Sequence, residues 1–213
     1  MSLTNRPLQG RFFGGLPKIY RRIIKMTKET EIGVVQEFVT KTDLVSAVVS
    51  NWTQIEAKAG NMLPRSAGEI KQEIEAGLGL ISFNEGVPIS YCRVLPWQPD
   101  LLEVGSLVVD PQKRHQGFGL KAMSGLLTMV AEEFPGARIF CLSENEISLK
   151  LLKKIGAVEM EKSVLPNVVW ELCFKPGAEC AHNQQFPNCT CKALDLTNLA
   201  KGYYPELVEG LLS

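Results

Sequence analysis

The sequence lacks several features that would assign a function class at once. Its 23 Lys and Arg residues balance its 23 Asp and Glu residues, so no overall field attracts nucleic acid or an anionic surface. No apolar run approaches the roughly 18 residues that a membrane-spanning helix needs. The chain has only 2 histidines, and it contains neither an internal repeat nor a low-complexity tract. We therefore expect no nucleic-acid partner and no membrane partner.

A secretory signal pattern is also missing. Residues 1–28 hold a series of Lys and Arg residues with no acid before Glu29, but no long apolar stretch follows these charges. We interpret residues 1–30 as a basic N-terminal arm, with an organelle transit peptide or a weak surface-binding helix as the alternative. Without a signal, the 6 cysteines do not indicate a disulfide framework, and the expected location is cytoplasmic.

What the sequence does contain is an alternation of strand and helix patterns. Predicted strands lie at 33–38, 78–83, 87–95, 101–109, 138–142, 158–160 and 168–174. Predicted helices follow Asp43 and Ser66, the latter with Glu69 at capping-box spacing, and cover 120–134 and 148–155. This order predicts an α/β (α+β) domain with a mixed sheet over residues 31–176. Residues 177–213 change in character and are predicted to form a Cys-rich C-terminal appendage.

The most informative segment joins strand 101–109 to the next helix. Asp110-Pro111-Gln112-Lys113-Arg114-His115-Gln116-Gly117-Phe118-Gly119-Leu120 ends a strand at proline, turns through two glycines and opens a helix. Free N–H groups and the positive end of the dipole at a helix start bind phosphate, and glycine allows close approach. Arg114 adds a positive charge. Rossmann and Walker loops do not fit, because their glycine and lysine spacings are missing.

The string strand-Pro-x-x-Arg-x-x-Gly-x-Gly-helix resembles motif A of the GNAT superfamily of N-acetyltransferases, and the likeness extends over about residues 33–175. It implies a GNAT fold, with a mixed, mostly antiparallel sheet flanked by helices, and acetyl-CoA as acetyl donor. The cofactor-binding residues that it implies are Leu107, Val108, Val109, Arg114, His115, Gln116, Gly117, Phe118, Gly119, Leu120 and Asn145.

Three further strings, at 62–66, 102–107 and 162–166, and the Cys-rich tail look like N-acetylglutamate synthase-type amino-acid acetyltransferases. The implied activity is acetyl transfer to a small-molecule amine, an amino acid. The alternatives are a protein N-terminal or lysine acetyltransferase, and an acetyl-CoA sensor without turnover. Two departures motivate the sensor: Leu152 replaces a Tyr that protonates the leaving thiolate in many members, and Gly105 replaces an Arg. The resemblance also leaves a homodimer open.

Candidate catalytic residues follow from the chemistry of acetyl transfer. An amine must lose a proton, so a base is needed, and the thioester carbonyl needs a donor, for which we expect a backbone N–H near Val108. Glu103 is the predicted base, because relatives use a carboxylate at this strand position; an ordinary solvated Glu is the alternative. Strand alternation predicts that Glu103, Gly105 and Leu107 share one face. Glu144 is a second, weaker candidate.

Two further sets of side chains complete the predicted sites. Arg65 is predicted to bind a substrate carboxylate, with a surface arginine after a proline as the alternative. Cys180, His182, Cys189 and Cys191 can close a tetrahedral structural zinc site, although one-residue gaps are tighter than usual. Buried or incidental thiols are the alternative to zinc.

Overall fold

The structure is a computed structural model that describes residues 32–173 and 189–201. Its helices are α1 (Ile32–Lys58), α2 (Ala67–Glu75), α3 (Phe118–Glu133), α4 (Glu146–Lys154), α5 (Asn167–Cys173) and α6 (Thr197–Lys201). Its strands are β1 (Gly79–Asn84), β2 (Val87–Gln98), β3 (Leu101–Val109), β4 (Arg138–Ser143), β5 (Val158–Met160) and β6 (Lys192–Asp195). The predicted arm, residues 1–30, lies outside the described residues. None of the described helices is long and apolar enough to cross a membrane.

The strands form one sheet in the order β1-β2-β3-β4-β6-β5. All neighbouring strands are antiparallel except β3 and β4, which run parallel. The β1–β2 hairpin turns through Glu85 and Gly86, whose φ angles of 51° and 79° suit a two-residue hairpin turn. The predicted mixed, mostly antiparallel sheet with flanking helices is therefore confirmed.

One face of the sheet is covered by α3 and α4, which bury the largest apolar cluster. Leu126 of α3 and Leu152 of α4 pack with Leu102 and Val104 of β3 and with Leu194 of β6. Four of these side chains are completely buried and Leu152 is 2% exposed. Burial of a leucine side chain contributes about 1.5–3 kcal/mol, so this cluster anchors α3 on the sheet.

The opposite face carries two smaller apolar clusters. The α1–α2 cluster joins Val45, Val49, Trp52 and Ile70 to Tyr91 and Val108. The α5 cluster joins Leu165, Val169 and Trp170 to Leu101, Phe140 and Ala193. Between the two clusters, β2 and β3 carry Arg93 and Glu103. The sheet therefore presents a charged strip flanked by two apolar walls.

Helix α2 begins as the sequence predicts. The Ser66 side chain accepts from the Glu69 N–H, and the Glu69 side chain accepts from the Ser66 N–H, which completes the capping box. Helix α3 ends before Pro135, with Gly136 at φ 85°. Both ends depend on residues that are close in sequence, which is why the sequence predicts them well.

The prediction of a strand at 33–38 followed by a helix capped by Asp43 is wrong. Residues 32–58 form the single helix α1. The helix buries Val45, Val49 and Trp52, at four- and three-residue spacing, in the α1–α2 cluster. Asp43 lies inside α1 and pairs with Lys71 of α2 at 2.6 Å, so its role is tertiary.

The prediction of a final strand at 168–174 is also wrong. Residues 167–173 form helix α5, whose Val169 and Trp170 pack against Leu101 and Phe140. The place in the sheet is taken by β6, which pairs with β4 through Phe140↔Asp195 and with β5 through Val158↔Asp195. Residues 192–201 of the predicted appendage therefore belong to the sheet and to the helix that follows it.

Candidate active site

The site is built around a point where β3 and β4 separate. The two strands pair at Leu101↔Arg138, Leu102↔Ile139 and Glu103↔Phe140, and no further pair follows in the described ladder. From residue 104 onward, no described strand pairs with the β4-facing edge of β3, which is called the open edge below. An open strand edge presents N–H and C=O groups that an extended ligand can bind.

The direction of the backbone groups at this edge follows from one hydrogen bond. The Asp110 N–H donates to Ile89 O at 2.8 Å. Because successive residues of a strand direct their hydrogen bonds to opposite sides, the N–H of Val108 points towards β2 and that of Val109 towards the open edge. Next to Val108, where the donor is predicted, the N–H that faces the open edge is therefore that of Val109.

The loop after β3 leads directly into the N-terminus of α3. His115 and Gly117 have φ angles of 62° and 81°, and Gly117 caps the helix without a side-chain hydrogen bond. The Lys121 N–H donates to Gly117 O at 3.1 Å. Because this is the first hydrogen bond of the helix, the N–H groups of Phe118, Gly119 and Leu120 have no carbonyl acceptor inside the helix. This arrangement suits an anion.

Gly119 also has a packing role. A Cβ atom at this position would lie 3.3 Å from Leu151 Cδ1 and 3.5 Å from Val109 Cγ2. The missing side chain lets the first turn of α3 approach both β3 and α4. The two glycines of the loop thus serve different purposes, since Gly117 supplies the positive φ and Gly119 the close approach.

A network of polar side chains links this loop to the end of α1. Arg114 forms an ion pair with Glu56, and Asn61 Nδ2 donates to Glu56 Oε2 at 2.8 Å. Asn145 Nδ2 donates to Asn61 Oδ1 at 3.1 Å. The Oδ1 of Asn145 caps α4 by accepting the Ile147 N–H at 2.9 Å. Arg114 and Asn145, both predicted to bind the cofactor, therefore share one network.

Next to this network lies a cleft of about 330 Å³. Its lining residues are Gly60, Asn61, Glu144, Asn145, Glu146 and Ile147. The cleft separates the loop after α1 from the start of α4. Glu144, the second base candidate, accepts a hydrogen bond from Thr190 at its exposed edge, away from the charged strip.

A bulge in β3 divides the strand into two parts. Tyr91 pairs with Val108 and Arg93 with Gly105, so β3 has one extra residue over this interval. Ser106 lies in the bulge with a φ of 54°, as expected where a strand changes its facing. Leu107 packs into the main cluster with Leu102 and Val104. The prediction that Glu103, Gly105 and Leu107 share one face is therefore wrong for Leu107.

Glu103 lies in the charged strip beside the α5 cluster. Trp97 Nε1–H donates to Glu103 Oε2 at 2.8 Å. Burial raises the pKa of the Glu103 carboxyl above its ordinary value, although the Trp97 hydrogen bond and the charge of Arg93 act in the opposite direction. A carboxylate with a raised pKa is a stronger base than a solvated one, which suits proton abstraction.

Arg65 lies at the other side of the strip, in a cluster around the buried Glu73. Arg65 and Arg93 both donate to Glu73 Oε1, Arg93 through Nη1 at 2.9 Å. The Tyr91 hydroxyl donates to Glu73 Oε2. Burial, followed by the charge of Glu73, raises the pKa of Tyr91 far above its ordinary value, so this phenol stays a donor. Arg93 thus shares Glu73 with Arg65 and also acts on Glu103 through its charge.

The backbone of Arg65 is fixed to α1. Its N–H donates to Thr53 Oγ1 at 3.0 Å, and its carbonyl accepts from Ser50 Oγ at 2.7 Å. This attachment, together with the α2 cap at Ser66, fixes the backbone of this loop residue against α1. The guanidinium is therefore directed to the sheet, and the alternative of a free surface arginine does not describe it.

The structure leaves two predicted features without a role in this site. Leu152 is 2% exposed in the main apolar cluster, so its position offers no proton donor. Cys180 and His182 lie outside the described residues, and Cys189 accepts from Lys162 Nζ at 3.2 Å through Sγ. Among the described residues, no group of three or more His, Cys, Asp or Glu could hold a metal ion. The zinc prediction gains no support.

Sequence reasoning missed Glu56, Asn61, Glu73 and Arg93. A usable signal existed for Arg93, because it is the one charged residue in the otherwise apolar stretch Tyr91–Leu95. Glu73 carries a weaker signal, since it follows Ile70 by one turn and so shares the buried face of α2. Glu56 and Asn61 carry none, because Arg114 and Asn145, which they contact, are distant in sequence.

Comparisons with known proteins agree with this geometry. Residues 49–157 match the Acetyltransferase (GNAT) family. UPF0039 protein C11D3.02c from Schizosaccharomyces pombe is 30% identical over 84 residues, which are 39% of this chain and 56% of that protein. The chain therefore spans little more than half the length of this curated relative.

Two solved structures have a similar fold. N-acetylglutamate synthase from Neisseria gonorrhoeae, complexed with coenzyme A and N-acetyl-glutamate, has a TM-score of 0.55 and 17% identity, covering 69% of this chain and 31% of that one. Rv2747 from Mycobacterium tuberculosis, in complex with CoA, has a TM-score of 0.52 and 16% identity, covering 71% and 95%. At such identities the likeness concerns the fold alone.

Proposed function

The chain belongs to the acetyltransferase (GNAT) family, and from that premise we propose that it transfers the acetyl group of acetyl-CoA to the amine of an amino acid. One observation carries the proposal. The open edge of β3, the loop with two glycines and the N-terminus of α3 follow one another without interruption. They form a continuous backbone surface for an extended ligand that ends in phosphates.

The residues present fit such a ligand. The N–H groups of Phe118, Gly119 and Leu120 would bind the pyrophosphate, with Arg114 as a nearby cation. The N–H and C=O of Val109 would bind the amide-bearing arm along the open edge. Bound acetyl-CoA would supply the acetyl group as a thioester: the amine nitrogen would attack the carbonyl carbon, forming the C–N bond while the C–S bond breaks and the thiol of CoA leaves.

Glu103 would remove the proton from the attacking amine, directly or through water. The α-amine of an amino acid is mostly protonated at neutral pH, so this step is needed. The raised pKa of Glu103 strengthens it as a base, and its place between the two apolar walls limits competing solvent. Since Leu152 is apolar and buried, we expect water to protonate the leaving thiolate.

A thiol-release assay tests the function with acetyl-CoA and a panel of free amino acids, their α-amides, polyamines and peptides with free N-termini. We expect release with a free amino acid. Release with peptides alone would favour a protein N-terminal or lysine acetyltransferase. Calorimetric binding of acetyl-CoA without release for any amine would favour a sensor, and absence of binding would contradict the family-based proposal itself.

A further inference from the structure

We propose that Arg93 is a specificity-determining residue whose guanidinium binds the carboxylate of the acceptor, so that the acceptor is an α-amino acid with a free carboxylate. This inference rests on the proposed function and names the acceptor class of the same site. It concerns a residue on β2, a strand to which none of the predicted cofactor or acceptor residues belongs.

The position of Arg93 follows from the strand register. Arg93 pairs with Gly105 across β2 and β3, and directly paired residues direct their side chains to the same face. A Cβ atom at Gly105 would meet no atom of the described residues within 4 Å. The guanidinium of Arg93 therefore lies beside an open space that the missing side chain of Gly105 leaves on the acceptor face of the sheet.

Arg93 has guanidinium N–H groups that its contacts with the described residues do not use. Nη1 donates to Glu73 Oε1 at 2.9 Å and Nε to Ser106 Oγ at 3.0 Å. Within the described part of the chain, the Nη2 group has no hydrogen-bond or ion-pair partner. Because a guanidinium is planar and its Nε and Nη1 are fixed, Nη2 points in a defined direction and can receive a carboxylate oxygen.

The donors that Arg65 and Arg93 leave unused point to an anion, in a cluster whose carboxylates are Glu73, Glu69 and Glu103. Two guanidinium groups, those of Arg65 and Arg93, share the single buried carboxylate of Glu73. Glu69 is 3.9 Å from Arg65, but it is half exposed and accepts from the Ser66 N–H and hydroxyl. Arg65 Nε is buried and has no hydrogen-bond partner within the described part of the chain. A carboxylate ligand would use donors of both arginines.

The distance to the proposed base selects the size of the acceptor. Arg93 pairs with Gly105 and Leu95 with Glu103, so Arg93 and Glu103 are diagonal neighbours, about 7–8 Å apart at their backbones. An α-amino acid carries its amine and carboxylate on one carbon, and it fits between two such converging side chains. A polyamine would instead place a second cation against Arg93, which is unfavourable.

The test compares Arg93→Gln with the wild type on an amino acid and on its α-amide. Losing a charge-assisted hydrogen bond reduces kcat/KM for the acid about 10- to 100-fold. We expect the α-amide to change less than about 3-fold and the KM of acetyl-CoA to stay constant. Arg138→Gln, on an exposed arginine at the start of β4, is the matched control. Equal losses for acid and amide would make Arg93 a structural partner of Glu73 only.

A rescue variant separates recognition from folding. In Arg93→Gln, the added substitution Gly105→Arg places a guanidinium on the paired position, in the space next to residue 93, and no positive φ at Gly105 opposes it. We expect the preference for the acid over the amide to return. No recovery in a folded double variant would overturn the assignment of this space to the carboxylate.

Binding of the N-acetylated amino acid, measured by calorimetry in the presence of CoA, keeps the two proposals distinguishable. If the wild type binds this acid and Arg93→Gln binds it at least about 10-fold more weakly, the carboxylate site stands even where no thiol is released. If the wild type binds the acid and its amide equally, the carboxylate site is wrong, whatever the turnover.

Discussion

Two neighbouring regions that meet at β3 contribute to the proposed reaction in different ways. The coenzyme region, formed by the open edge at residues 107–109 and the start of α3, offers mostly backbone groups. The acceptor region, formed by Arg65, Glu73, Arg93 and Glu103, offers long side chains that are bound to one another. Most substitutions leave backbone groups in place, whereas a single substitution alters a charged cluster. Cofactor use is therefore expected to be robust and acceptor choice easily changed.

The largest expected effect is in the acceptor region. Glu103→Gln removes the proposed base, and loss of general-base catalysis lowers kcat about 100- to 10,000-fold. Burial raises the pKa of Glu103, so the wild-type rate should fall as pH drops through a value above the usual ~4.3 of glutamate. The variant should lose this acidic limb, as a pH–rate profile of both proteins would reveal.

The pKa shift also supplies a stability control for this variant. Because the folded-state pKa of Glu103 is raised, its contribution to stability is complete below the unfolded pKa and declines as pH rises through the folded pKa. Gln has no such dependence, so Glu103→Gln should be at least as stable as the wild type at neutral pH. Glu159→Gln, on an exposed residue of β5, should keep full activity. If Glu103→Gln were inactive because it had unfolded, its loss of activity would not support Glu103 as the base.

The coenzyme region is tested by Gly117→Val. Gly117 has a φ of 81°, which a β-branched residue does not adopt without moving the loop. We expect the affinity for acetyl-CoA, measured by calorimetry, to fall about 100-fold, because several bonds to phosphate are lost together. Acceptor preference among residual turnover should not change, which would sharpen the separation of the two regions.

A matched variant distinguishes this effect from general strain. Gly136→Val imposes the same backbone conflict at a φ of 85°, beyond the far end of α3. The Cβ of the new valine would meet no atom of the described residues within 4 Å. It should lower the melting temperature as Gly117→Val does and leave the affinity for acetyl-CoA unchanged. If both variants weaken binding equally, the loop has no special role.

The smallest expected effect concerns the network that links the phosphate loop to the end of α1. Glu56→Gln frees Arg114 from its ion pair, so that more of its charge is available to phosphate. Partly exposed pairs contribute about 0–1 kcal/mol, and we expect acetyl-CoA affinity to rise about 2- to 5-fold at low salt. Glu132→Gln, an exposed change of equal charge on α3, is the control. A weaker affinity would mean that Glu56 orients Arg114 for binding.

The two regions also differ in how far the sequence predicts them. Residues 110–120 are contiguous, and their glycines, proline and arginine carry the signal directly, so the loop and β3 were predicted at their observed places. Arg93 and Glu73 meet only through the register of β2 with β3 and the packing of α2, which a local pattern does not contain. The bulge at Ser106 reversed the expected facing of Leu107, because nothing in the sequence marks an extra residue in an apolar strand.

Long-range packing also explains why two strands are predicted wrongly from the sequence. Residues 33–38 read as a strand because β-branched residues prefer strands, but the α1–α2 packing outweighs that preference. The pattern of residues 168–174 predicts the last strand for the same reason. The short strand β6 carries no comparable signal in the sequence. In each case contacts between residues distant in sequence determine the secondary structure. The partners of Trp170 and Leu194 are therefore known only from the folded chain.

The place of β6 has a consequence for how the protein is made. On a ribosome the chain emerges N-terminus first, and β4 and β5 are synthesised well before residues 192–195, which lie between them in the finished sheet. Until then, the edge of β4 at Phe140–Ser143 has no partner from β6, and exposed apolar edges recruit other chains. A premature stop or a proteolytic cut before residue 192 would leave the phosphate loop encoded but the sheet incomplete. Chaperone protection during synthesis is therefore expected to matter most over the longest interval between two paired strands of the described sheet, from β4 to β6.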